Sequence, residues 1–352
     1  MTTVRPLVRQ DVPALITLWN QCVQEGEVLY APMDEHLWQF KFVQTAGCDP
    51  QLLLTAEENG APVGFIHGVA PGTFPGSRPQ IGYLTVMLVD KRRRGQGIGK
   101  ALLRELSRRL REKGAVKLMV SSLNPVNLSW RIPGTPGHDH NNMPGVDQDC
   151  AGAGFFASQG FEKLHEEVAM YRSLAQYQPP ADLQARQEAL RRQGIETGVY
   201  DWRAHCGFDA MCDRVGSDYW RDVLRTEIAA WESGRPNQDP RFFADDETQP
   251  KAPRPLLTAT ANGQIVGFTG PVDKQKSGRG WFTGICTDPT YGGRGIATVL
   301  FTLLMQAFAQ EGAAFSTLFT GTENHAQKIY LVAGMRPVRH FMLMSKSLEG
   351  ND

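Results

Sequence analysis

Nothing in these 352 residues approaches the ~20 consecutive apolar positions that a membrane-spanning helix requires. The opening residues, MTTVRPLVRQDV, lack the apolar core of a secretory signal. Six cysteines (Cys22, Cys48, Cys150, Cys206, Cys212, Cys286) stand apart with no Cys-x-x-Cys pair, so neither a disulfide framework nor a zinc ribbon is indicated. Neither charge sign prevails: 37 Lys and Arg balance 37 Asp and Glu. That balance removes the broad basic field expected of a nucleic-acid or anionic-membrane binder. The absences together predict a cytoplasmic protein with neither nucleic acid nor membrane as a partner. What is present is ordinary for a globular chain, 41% hydrophobic and 21% charged, and long enough for two domains with separate cores.

The chain is organised around Arg94-Gly95-Gln96-Gly97-Ile98-Gly99. Before it, Ile81 to Val89 is an apolar run rich in β-formers, which predicts a buried strand. After it, Leu102, Leu103, Leu106 and Leu110 recur at helical spacing among Arg and Lys. A glycine-rich turn from strand to helix lets a ligand approach the backbone, and the free N–H groups of the first helical turn suit phosphate. Two common phosphate loops fail here. A Walker loop needs Gly where Arg94 stands and Ser or Thr where Ala101 stands. A dinucleotide fingerprint needs a third glycine at Lys100.

The same arrangement recurs. Gly293-Arg294-Gly295-Ile296-Ala297 follows a strand-like run, Trp281 to Thr287, and precedes Val299, Leu300, Leu303, Leu304 and Phe308 at helical spacing. Upstream of each turn lie two apolar runs joined at Asn-Gly, Asn59-Gly60 and Asn262-Gly263, a strong hairpin signal. Hairpin, strand, glycine turn and helix in one order, twice, imply a duplicated domain.

The hexapeptide Arg-Gly-x-Gly-x-Gly resembles the pyrophosphate-binding motif of the GNAT superfamily of N-acetyltransferases, and the likeness covers nearly the whole chain as two copies. The resemblance implies a mixed-sheet α/β (α+β) fold of two tandem acyl-CoA N-acyltransferase domains, residues 1–175 and 196–352, with a linker helix at 176–195. It implies acetyl-CoA as cosubstrate. Leu88 and Val89 would pair with the pantetheine arm, and Arg94 with the amides of Gly95, Gln96, Gly97, Ile98, Gly99 and Lys100 would hold the pyrophosphate. In the second copy Cys286 and Thr287 take the strand-end place, and Gly293, Arg294, Gly295, Ile296, Ala297 and Thr298 form the cradle, with Gly292 replacing the cation. The family ends in a helix whose tyrosine protonates the leaving thiolate. The first copy has Phe156 there, which has no ionisable proton. The second has Asn324, Ala326 and Tyr330 in the pattern Asn-x-Ala-x-x-x-Tyr-x-x-x-Gly. The expectation is therefore that Tyr330 is the catalytic acid, that Asn324 flanks the ligand, and that the second domain carries the chemistry.

Other residues stay open to two readings. Glu25, Glu27, Tyr30 and Met33 sit where the family frames its acceptor, and read equally well as loop. The first copy carries a long Pro-, Gly- and Asn-rich segment, Asn124 to Cys150, suited to a flap or a surface loop. Its His138, Asp139 and His140, with Asp147 and Asp149, fit no strong ligand spacing, so no metal is expected. Asp245, Asp246 and Glu247 either receive an amine or form a solvated loop. No general base is assigned. Asp288 is the nearest carboxylate in the second copy, and Cys286 lacks a His partner that would make it a nucleophile. The expected function is acetyl transfer from acetyl-CoA to a primary amine of a small molecule or peptide, by direct attack. The rival, suggested by Phe156 and Gly292, is a non-catalytic CoA-binding or scaffolding protein. A homodimer is compatible with both.

Overall fold

A computed structural model of the chain describes residues 2–45, 47–135, 143–216, 218–238 and 252–350. The acidic run at 245–247 and the histidines at 138 and 140 lie outside these. Two compact units emerge. The first takes in the chain as far as Pro133, the stretch that ends at Ala169, and Arg339 onward; the second runs from Met170 to Val338.

The elements of the first part of the chain are β1 (Thr3–Pro6), α1 (Val12–Gln24), α2 (Glu35–Trp38), β2 (Leu53–Glu58), β3 (Ala61–Val69), β4 (Ile81–Val89), α3 (Ile98–Glu112), β5 (Lys117–Val120), β6 (Val146–Asp147), α4 (Ala151–Ser158) and β7 (Glu162–Ser173). There follow α5 (Leu183–Arg191), β8 (Ile195–Val199), α6 (Phe208–Val215), α7 (Asp218–Ser233), β9 (Leu257–Ala261), β10 (Gln264–Thr269), β11 (Arg279–Trp281), β12 (Ile285–Thr287), α8 (Ile296–Gln310), β13 (Phe315–Gly321), α9 (Gln327–Val332) and β14 (Arg336–Ser347).

In the first unit the strands run in the order β1-β2-β3-β4-β5-β14. Asn59 and Gly60 turn β2 into β3 with φ of 54° and 81°. Both left-handed values belong to the two-residue turn whose twist matches paired strands. Leu102, Leu103, Leu106 and Leu110 of α3 are buried on one face of the sheet, against Leu54, Ala56 and Ile66. Each fully buried leucine contributes roughly 1.5–3 kcal/mol. Leu15, Leu18 and Trp19 of α1 join Leu53, Phe65, Val86 and Leu88 in a separate core cluster.

One irregularity positions the site. Leu84 belongs to the α3 cluster and Val86 to the α1 cluster, although residues two apart on a regular strand share a face. The ladder explains it: His67 pairs with Val86 and Gly68 with Leu84, so Thr85 is an extra residue in β4. Such a bulge bends the strand and re-aims its side chains.

The second unit repeats the pattern with local changes. Asn262 and Gly263, with φ of 49° and 75°, join β9 to β10, in a four-stranded sheet ordered β12-β10-β9-β8. Gly267 of β10 faces Ile296 and Leu300 of α8, as Gly64 of β3 faces Ile98 and Leu102 of α3. The strand expected from Trp281 to Thr287 is two strands: β11 pairs parallel with β13, while β12 pairs with β10. The helical pattern expected over 209–231 is also divided, because Gly216 adopts φ 71° and ends α6. The two repeats exchange ends. β7 begins in the first unit and finishes in the second, and β14 does the reverse, its residues Met344 to Ser347 pairing with Val120 to Lys117 of β5. Boundaries drawn by chain order, at 175 and 196, place the whole of each strand in one domain.

Candidate active site

The two glycine turns are built alike. Asp90 and Asp288 close the strands before them, each accepting a hydrogen bond from the backbone two residues on, Arg92 N at 3.0 Å and Thr290 N at 2.9 Å. Then come Gly95 and Gly97 at φ 76° and 82°, and Gly293 and Gly295 at 76° and 84°. A side chain at these four positions would be strained by the left-handed backbone, though each faces open space. Ala101 N–H makes the bond to Gly97 O (2.9 Å), and Val299 N–H the one to Gly295 O (3.1 Å). Ahead of them the amides of 98–100 and 296–298 lie in the first turn, where helix geometry supplies no intrahelical acceptor. Each turn is therefore shaped to receive an anion.

The first turn opens on a cavity of about 510 Å³. β4 pairs with β5 only over Ile81–Tyr83, and beyond Tyr83 the two strands part. Residues 84–89 line the cavity from that edge. Of the residues expected at the cofactor, Leu88, Val89, Arg94, Gly95, Gly97, Ile98, Gly99 and Lys100 all line it, and Gln96 does not. Gln96 turns back instead, its amide 3.5 Å from Arg92 O. Arg94 is engaged within the protein: its Nη1 lies 2.5 Å from Glu27 Oε2, and its Nε donates to Val89 O at 3.3 Å. Lys91 Nζ holds the other Glu27 oxygen at 2.5 Å. Lys91 and Arg94 keep the Glu27 carboxyl below its ordinary pKa.

The cavity lining also includes Thr85, which sequence patterns did not single out, and Asp147, which they raised only as a metal ligand. Thr85 lines the cavity, and its Oγ1 is 2.7 Å from Nδ1 of His67, which is fully buried. Burial drops the His67 imidazole to about 3, so the ring is neutral at physiological pH. Asp147, also lining the cavity, is clamped by Arg339 through two bonds of 2.7 and 2.8 Å. A bulge partner and a cation on the last strand leave no local sequence signal.

In the second unit, Cys286 is buried against Phe268, its partner in the β10–β12 ladder, and burial raises its thiol to about 11. Thr287 pairs with Gly267. The Arg294 guanidinium lies over the Tyr291 ring, 4.9 Å from its centroid. Asn324 caps the turn before α9, accepting from Ala326 N and donating to Thr320 Oγ1, both at 2.9 Å. Tyr330 is buried, with Phe301 at 4.9 Å and Phe282 at 5.8 Å, and burial pushes its phenol up to about 12. Asp288 is committed to its turn and to Arg214, whose Nε is 2.6 Å away. Among the described residues no cluster of three or more His, Cys, Asp or Glu could hold a metal ion. No helix among them is long and apolar enough to cross a membrane.

Solved structures share this fold at low sequence identity. A GCN5-related glucosamine N-acetyltransferase region of a fungal multi-domain GH3 β-N-acetylglucosaminidase aligns with TM-score 0.65 and 16% identity over 98% of this chain. The chain spans 38% of that larger protein. A GCN5-related N-acetyltransferase from Sphaerobacter thermophilus aligns at 0.57 and 16%, covering all of this chain and 97% of the other. A tandem GNAT protein from the clavulanic acid biosynthesis pathway aligns at 0.57 and 13%, over the full length of both. The model of the acetyltransferase (GNAT) family matches residues 14–129 and again 220–334. With each glycine turn inside its own match, the chain belongs to the GNAT acetyltransferase family as a tandem member.

Proposed function

We propose that the first unit binds acetyl-CoA in its cavity and that the chain transfers the acetyl group to a primary amine of a small molecule or peptide. The observation that carries this reading is the parting of β4 from β5 directly above the glycine turn. An extended pantetheine arm fits beside an unpaired strand edge, and a diphosphate suits the amides of 98–100 with Arg94 and Lys100 near. Catalysis there needs no covalent intermediate. The ammonium loses a proton to water, the free amine bonds to the thioester carbonyl carbon, and the carbon–sulfur bond breaks with its electron pair going to sulfur. The acylated nitrogen sheds a second proton and the thiolate takes one up. Apolar walls formed by Leu84, Val86, Phe155 and Phe156 keep water from competing.

A second reading moves the reaction to the second unit, because Gly293 and Gly295 keep the same backbone and Tyr330 retains a phenol where Phe156 has none. Calorimetric titration of acetyl-CoA, with thiol release measured over a panel of amines, separates the two. Binding and turnover abolished by Gly97→Glu but retained by Gly295→Glu support the first unit, and the opposite pattern supports the second. Binding without turnover on any amine supports a non-catalytic CoA-binding protein.

A further inference from the structure

The cavity lacks the acid expected of its own copy. Phe156 lines it, packed against Phe155 and Phe161 at 5.5 and 5.1 Å, and can donate no proton. Another phenol does line it. Tyr30 lies between α1 and α2, held by backbone pairing on both sides: Ala31 N donates to Ser129 O at 2.8 Å, and Arg131 N to Leu29 O at 2.7 Å. Its ring packs on Trp19, 5.1 Å between centroids. The hydroxyl donates to the carbonyl oxygen of Thr85 across 3.4 Å, longer than an ordinary O–H···O bond and so readily exchanged. Thr85 is the bulged residue of β4, at the point where that strand has just left β5.

We propose that Tyr30 is the general acid of the first unit's cavity, delivering its hydroxyl proton to the departing thiolate in place of Phe156. The proposal rests on the cavity being the acetyl-CoA site. The amine nitrogen forms a bond to the carbonyl carbon, the carbon–sulfur bond breaks, and its electron pair goes to sulfur. The Tyr30 proton follows to sulfur, the attacking nitrogen releases a proton to water, and the phenolate regains one from water. Burial raises the Tyr30 phenol above its ordinary pKa, so the hydroxyl carries its proton at neutral pH. The bulge matters for the same reason. A regular strand would commit the Thr85 carbonyl to the ladder, whereas here it can dock the hydroxyl between turnovers.

The test uses the full chain, hydroxylamine as acceptor because it is unprotonated at neutral pH, and two acetyl donors. One is acetyl-CoA; the other is the acetyl thioester of p-nitrothiophenol, whose thiolate leaves without protonation. Tyr30→Phe is expected to lower kcat with acetyl-CoA about a hundredfold or more. Its acetyl-CoA Kd, by calorimetry, should stay within about threefold of the parent, and so should its rate with the aryl thioester. Equal loss with both donors, or no loss with acetyl-CoA, overturns the acid assignment alone. Acetyl-CoA binding untouched by Gly97→Glu overturns the cavity reading and the acid together.

Discussion

Glu27 and Arg94 form an ion pair at 2.5 Å, so an arginine of the first glycine turn that lines the cavity is already neutralised by a carboxylate lining the same cavity. An incoming diphosphate must compete with Glu27 for Arg94 and Lys91. Glu27→Gln should therefore tighten acetyl-CoA binding, by about three- to tenfold at low ionic strength, with the gain shrinking as salt rises. Arg94→Ala should weaken it by about tenfold or more. Titration calorimetry at two salt concentrations checks both. Weaker binding by Glu27→Gln would mean that the carboxylate positions Arg94 instead of competing with the ligand.

His67 makes the fold sensitive to acid. In the unfolded chain the ring titrates near 6.5, and in the folded one burial holds it down to about 3. Between those values the unfolded state binds the extra proton, so stability falls as pH drops, with a slope of about 1.4 kcal/mol per pH unit from this one group. Urea unfolding at pH 6.5, 5.5 and 4.5 should show the decline, and His67→Gln should flatten it. A slope unchanged by the substitution would place the acid sensitivity elsewhere.

The glycines separate two kinds of cost. At Gly97 an added Cβ meets nothing within 4 Å, so Gly97→Ala costs only its left-handed backbone, about 1–2 kcal/mol. At Gly64 the backbone is ordinary, but a Cβ would lie 3.0 Å from Leu102 Cδ1 and 3.3 Å from Leu88 O. Gly64→Ala should cost about 1–3 kcal/mol by pushing α3 off the hairpin. Thermal unfolding measures both, and Gly97→Asn should be milder than Gly97→Ala because Asn tolerates positive φ.

Tyr330 offers the sharpest division between the two copies. With the reaction in the first unit, Tyr330→Phe should leave thiol release within about threefold of the parent, since the ring's packing on Phe301 and Phe282 survives the change. A hundredfold loss would return the chemistry to the second unit.

Local features could be read directly from the sequence. The Asn-Gly hairpins and the glycine turns depend on backbone conformations that few residues besides glycine and asparagine adopt, so their sequence is their geometry. Gly64 and Gly267 also stand in matching Val-Gly-Phe stretches. The break between β11 and β12 was hidden, because Trp281 to Thr287 reads as one apolar run whether or not both ends share a neighbour. The Thr85 bulge was hidden too, since it exists only as a mismatch with β3. Tyr30 and Asp147 reach the cavity through long-range pairing with Trp130 and through Arg339, neither of which leaves a periodic trace.

The Asp147–Arg339 clamp joins residues 192 positions apart, and the strand carrying Arg339 also covers the edge of β5. On a ribosome, nearly all of the second repeat must emerge before that strand does. Until then β5 presents a bare edge, the kind of surface that recruits stray strands from other nascent chains. Excising the first repeat by its chain order would make that transient vulnerability permanent, so dissection of this protein is better done by point substitution than by scissors.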